Sequence, residues 1–196
     1  MRRGRSTAVL AMLLTGAIGV IASTQTWIDV TLDDGSQQTL AVPGAEALPV
    51  LTPLSLAALA LGAALSIVGP VMRYVFGALG VLIAALVGFG TAQLLFATPV
   101  SATAATVTDA TGISGTDAVA ALVQDLALTP WPAVTFIAQI VLLAASVFTL
   151  VTARRWASGA SRKYRTAEEA AATGTGRPHD AIDSWDDLSR GDDPTA

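Results

Sequence analysis

Four long stretches of the chain contain no Asp, Glu, Lys or Arg: 6–28, 47–72, 74–108 and 126–153. About 20 apolar residues wound as an α-helix, at about 1.5 Å per residue, cross the roughly 30 Å hydrocarbon core of a bilayer. Each stretch is long enough to do so. Inside lipid every backbone polar group needs an internal partner, which leaves helices or closed barrels. These runs are continuously apolar and do not alternate, so they predict helices. The expected spans are 7–26, 54–69, 74–97 and 131–152. The second is the shortest and stops at Gly69-Pro70, a helix-ending pair. The fold class predicted is an all-α membrane protein: a four-helix transmembrane bundle over 1–153, followed by a flexible cytoplasmic tail over 154–196.

Composition agrees. The chain is 53% hydrophobic and 13% charged, whereas a soluble domain has about 25% charged residues. There is no Cys and a single His, His179, so thiolate sites, disulfides and a His-based triad have no raw material. No Walker loop or dinucleotide Gly motif is present. The basic residues are juxtamembrane and too few for a nucleic-acid face. The expectation is therefore a protein that is not an enzyme and has no metal, cofactor or nucleic-acid partner.

Charge sets the expected orientation. All eleven Lys and Arg residues fall on one side of a four-span arrangement. Arg2, Arg3 and Arg5 precede the first span, Arg73 sits in the tight turn between the second and third, and the other seven follow the fourth. The outer loops, 28–53 and 98–130, carry only acidic charge. The positive-inside rule then places both termini in the cytoplasm, at the cell (inner) membrane. A cleavable signal peptide is the competing reading of the N-terminus, with Val20 and Ala22 as a weak cleavage site. The apolar run continues to Trp27 and Ile28, which favours an uncleaved span. Trp27, Trp131, Arg154, Arg155 and Trp156 are read as interface anchors.

In the first outer loop, Val30, Leu32, Leu40 and Val42 are apolar at period two around Asp33-Asp34-Gly35-Ser36, predicting a β-hairpin. In the second, Thr116 is placed as the cap of a short helix from Asp117 to about Leu126, and 126–128 could add a strand to the hairpin. Together the loops would form a small extracellular cap. Within the spans, close helix contact in lipid calls for small residues. Gly80, Ala84 and Gly88 recur at spacing four, as do Ala58, Gly62 and Ser66, and Thr15, Gly19 and Ser23. Gln139, about two turns inside the last span, is read as an interhelix hydrogen-bonding residue rather than a ligand contact.

In the tail, Ile182, Trp185 and Leu188 fall at spacing three among Asp180, Asp183, Asp186, Asp187, Asp192 and Asp193. This short motif, 180–195, is marginal as a helix alone. It is expected to fold in the groove of a cytoplasmic protein partner, with Trp185, Leu188 and Arg190 as the contact residues. A solvated end with an accidental Trp is the simpler alternative. Nothing in the pattern sets an oligomeric state.

These residues also carry a resemblance. Thr26-Trp27 ends the first span, Trp131-Pro132 opens the fourth and Arg155-Trp156 closes it. The chain ends in Trp185-Asp186-Asp187-Leu188-Ser189-Arg190-Gly191-Asp192-Asp193-Pro194-Thr195. In these features, and over nearly its whole length, it resembles the actinobacterial tryptophan-biosynthesis-associated membrane proteins, whose genes lie among those of tryptophan operons. The stretch after Trp156 departs from the family pattern, with Ala157 and Ala160. The resemblance implies an actinobacterial inner membrane and a link to tryptophan metabolism. It implies no activity and carries over no site residue. Three functions are in view: an accessory or docking protein, a small exporter of tryptophan or a related aromatic metabolite, and, ranked lowest, an envelope protein whose cap binds another membrane protein.

Overall fold

The computed structural model describes residues 2–33, 39–97 and 100–155. The chain divides into two compact units, Met1–Trp156 and Ala157–Ala196, and the described residues all lie in the first. The tail residues Trp156, Trp185, Leu188 and Arg190, and the motif 180–195, lie outside them.

The first unit begins with helix α1 (Arg2–Thr24), strands β1 (Thr26–Leu32) and β2 (Thr39–Pro43), and a one-turn helix α2 (Gly44–Ala47). Helices α3 (Leu51–Leu65) and α4 (Pro70–Ala97) follow. Short helices α5 (Ala104–Thr111) and α6 (Thr116–Leu122), strand β3 (Val123–Leu128) and helix α7 (Trp131–Thr152) complete it. Three helices among the described residues are long and apolar enough to cross a bilayer: Gly4–Thr24 of α1, Pro70–Ala97 and Trp131–Thr152. The fourth apolar helix, α3, has 15 residues, about 22 Å at the α-helical rise.

The boundaries of the second expected span are corrected from 54–69 to Leu51–Leu65. Pro53 lies in the first helical turn, where a missing N–H would have had no intrahelical partner anyway. At the other end, the residue before a proline is disfavoured in the α region, so the helix unwinds ahead of Pro70. The Ser66 hydroxyl turns back to Ala63 O at 2.6 Å. Pro70 is itself the first residue of α4, a position for which its fixed φ is suited. The third span thus starts four residues earlier than expected. Arg73 lies in its first turn, not in a connecting turn. At the N-terminus, α1 runs over Arg2–Thr24 in place of 7–26, because Thr26 and Trp27 belong to β1.

The expected cap is a three-stranded antiparallel sheet in the order β2-β1-β3. Val30 pairs with Leu40 on one side and Leu126 on the other. Ile28, Val30 and Leu32 are buried while Asp29 and Thr31 are half-buried, the alternation that a sheet covered on one face demands. Val107 of α5 and Val119 of α6, both fully buried, join the same core. Each such side chain contributes roughly 1.5–3 kcal/mol by leaving water. The tip of the β1–β2 connection, 34–38, lies outside the described residues. Between α4 and α7 the expected helix is shorter and the strand longer: α6 ends at Leu122 and β3 starts at Val123. Thr116 is not its cap. Gly115 precedes the helix with φ 111° and no side-chain cap bond forms.

Below the cap, α1 packs along both α3 and α7, and α4 packs along α7; contact between α3 and α4 is slight. Met12 of α1 is fully buried where these helices meet.

Candidate functional site

The seams between the helices are built from glycine. A Cβ at Gly16 would lie 2.8 Å from Leu59 Cγ, and one at Gly19 would fall on Ser55 Oγ. These two bring α1 against α3. A Cβ at Gly62 of α3 would lie 3.1 Å from Met12 Cβ and Leu13 Cγ. On α4, a Cβ at Gly77 would be 2.8 Å from Leu150 Cδ2, and one at Gly80 would fall on Ser146 Oγ. Real Cβ atoms do not come closer than about 3.0 Å, so Gly16, Gly19, Gly77 and Gly80 set the helix separation, while Gly62 is tight. Ala84 is 4% exposed on the same face. Gly88 is looser: its nearest neighbour across the seam is Gln139 Cβ at 3.6 Å. Spacing four identified Gly80, Ala84 and Gly88. It missed Gly77, one turn before Gly80 at spacing three.

The inward face of α7 mixes polar side chains with Pro132, Ala138, Leu142 and Ala145. Thr135, Ser146 and Thr149 are fully buried and Gln139 is 4% exposed. Thr149 donates to Ala145 O at 2.8 Å. By contrast Thr135 Oγ1, Gln139 Oε1 and Ser146 Oγ have no hydrogen-bond partner among the described residues. The interhelix hydrogen bond expected of the Gln139 carbonyl is therefore not formed there. Gln25 is half-buried and donates to Thr24 Oγ1 at 3.2 Å, and Gln93 is exposed.

At the end of the bundle away from the cap, two arginines cap neighbouring helices. Arg5 of α1 donates to Leu65 O at 3.2 Å and to Ser66 O, the last carbonyls of α3. Arg73 is 2% exposed and donates to Ala153 O, just past α7, at 3.5 Å. Cationic groups at helix C-termini satisfy orphan carbonyls and complement the helix dipole. The sequence reading puts Arg5 ahead of the first span and Arg73 in a connecting turn; the structure corrects both, with Arg5 inside Gly4–Thr24 and Arg73 inside Pro70–Ala97. Pro70 was the available signal: read as the first residue of a helix, it places Arg73 inside it.

Of the residues read as interface anchors, Trp27 is 0% exposed. Its indole N–H donates to Ala22 O at 2.8 Å, and Gly44 packs on the ring, where a Cβ would be 2.6 Å from Nε1. It is a core residue joining bundle to cap, not a group turned to the headgroups. Trp131 is half-buried and opens α7, its backbone N–H donating to Thr129 Oγ1 at 3.4 Å. Arg154 is exposed, and Arg155 ends a 3₁₀ turn after α7.

No group of three or more metal-ligating side chains occurs among the described residues. A family model described as tryptophan-associated transmembrane protein matches residues 9–195. No curated protein and no solved structure matches the chain.

Proposed function

The chain belongs to the tryptophan-associated transmembrane protein family, and on that premise we propose that it is a non-enzymatic accessory protein of the cell (inner) membrane. Its bundle is a scaffold, and its tail brings a cytoplasmic partner, such as a tryptophan-pathway enzyme, to the bilayer. The observation that supports this reading is the filling of the glycine seams. Gly16, Gly19, Gly77 and Gly80 each face a side chain of the neighbouring helix at or inside contact distance, so these seams hold helices together rather than line a path. In this proposal α3 is a short fourth span and both termini are cytoplasmic, an arrangement that puts all eleven Lys and Arg residues on one side, in keeping with the positive-inside rule.

The test is a crosslinking pulldown from native membranes, comparing the full chain with one ending before Pro178. A partner lost on truncation, and lost also with Trp185→Ala while membrane insertion persists, supports docking through Trp185, Leu188 and Arg190. An identical set of captured proteins removes the docking role.

A second reading, an exporter of tryptophan or a related aromatic metabolite, draws on a different observation. Thr135 Oγ1 and Gln139 Oε1 are buried acceptors within a span, and intramembrane polar groups often mark substrate paths. Flux of an aromatic amino acid into proteoliposomes containing this protein alone, reduced by Gln139→Leu, would favour it over docking. Absence of flux across several aromatic substrates would dismiss it.

A further inference from the structure

Between α1 and α7 runs a groove of about 500 Å³. Its floor is made of small residues, Ala11 and Thr15 of α1 and Ala138 of α7, and its walls include Leu10, Leu14 and Val141. Thr15 presents no hydroxyl to an occupant, because its Oγ1 is turned to the backbone and bonds Ala11 O at 2.9 Å. Leu10, Leu14 and Val141 are 57%, 62% and 44% exposed, so the groove opens sideways from two membrane-crossing helices. An occupant there meets hydrocarbon surface and no hydrogen-bonding group that is not already engaged.

Charge says what sits at its mouth. On α1 the positions Arg3, Thr7, Leu10 and Leu14 follow one another at spacings of four, three and four, which places them on one stripe of the helix. The groove therefore ends toward the start of α1, where the sequence carries Arg2 and Arg3. Arg154, exposed, and Arg155 follow the end of α7 at the same end of the bundle. The acidic residues among those described, Asp29, Asp33, Glu46, Asp109, Asp117 and Asp125, all belong to the cap at the opposite end. An amphiphile with a hydrocarbon tail and an anionic head matches this layout. A second copy of the chain, bringing its own Arg2, Arg3 and Arg5, does not.

We propose that the groove between α1 and α7 holds an acyl chain of one anionic phospholipid, whose phosphate lies at the Arg3 end. The tail replaces annular lipid that would otherwise bridge an uneven surface, and the head is held by charge at the depth where headgroups lie.

The test uses the full chain extracted in a mild detergent and exchanged against phosphatidylglycerol or phosphatidylcholine, with retained lipid counted by native mass spectrometry. The wild type is expected to retain one phosphatidylglycerol in preference to phosphatidylcholine. Ala138→Phe, which fills the floor, is expected to lower retention about tenfold, the loss of about two buried methylene contacts. Leu14→Gln, at an exposed wall and so compatible with folding, is expected to lower it in the same sense. Arg3→Gln is expected to keep a lipid but lose the preference for phosphatidylglycerol. Wild-type protein free of lipid, or equal retention in Ala138→Phe and Leu14→Gln, would overturn the proposal. So would a dimer that Leu14→Gln dissociates, which would make a second copy the occupant.

Discussion

Trp27 ends the first apolar run, yet its neighbours give it a role that a terminal Trp does not announce. The indole is wholly buried, bonded to Ala22 O at 2.8 Å and stacked on Gly44. Trp27→Phe removes the N–H and shrinks the buried side chain from two rings to one, so a loss of about 1–3 kcal/mol is expected, read as lowered thermal stability in detergent. Gly44→Ala places a methyl 2.6 Å from Nε1 and from Ala22 O. Such overpacking against backbone should cost about 1–3 kcal/mol, read in the same assay. An unchanged melting temperature for Gly44→Ala would mean that the Trp27 lock is not tight. Trp27 was legible as a residue of consequence, at the junction of an apolar run with a period-two segment. Its burial was not, because that depends on Gly44, which the chain brings back only after the hairpin.

Among the helices, the α4–α7 seam separates two kinds of glycine that share one spacing. Gly80 abuts Ser146 Oγ, while Gly88 has ordinary contact room. Alanine is favoured over glycine by about 1 kcal/mol in a helix interior. Gly88→Ala is therefore expected to be neutral or stabilising, and Gly80→Ala destabilising by about 1–3 kcal/mol. Denaturant titration of the two variants in mixed micelles decides the point, and equal effects would contradict the geometry. Ser146→Ala removes a buried hydroxyl that has no partner among the described residues. Replacing such a group by an apolar one of similar shape can be neutral or better, so this variant should unfold no more readily than the wild type. Arg5→Ala should uncap the end of α3 and cost about 0.3–1 kcal/mol, visible as faster amide exchange near Leu65. The spacing-four stripes pointed to the correct helices. Which glycine is tight follows from the crossing of two helices, not from either one alone.

For the molecule as a whole, the absence of Cys makes topology directly testable. Single cysteines at Thr39, in the cap, and at Arg154, past α7, should react with a membrane-impermeant maleimide from opposite sides of the bilayer. Labelling of both from one side would refute an arrangement that carries α1 and α7 across. The sequence alone determined the apolar helices, the strands of the hairpin and the segregation of charge. Each of these is local, set by hydropathy over about 20 residues or by a period of two. The family, too, is carried by the linear order of residues over 9–195. Tertiary structure decided the rest. It paired β3 with β1, strands that α3 and α4 separate in the chain, buried Arg73 against the end of α7, and left a groove between α1 and α7. The physical reason is common to all three. In lipid the hydrophobic effect does not drive helices together, so their arrangement is set by where small and large side chains from distant segments interlock. That complementarity exists only between surfaces, and no single stretch of sequence contains it.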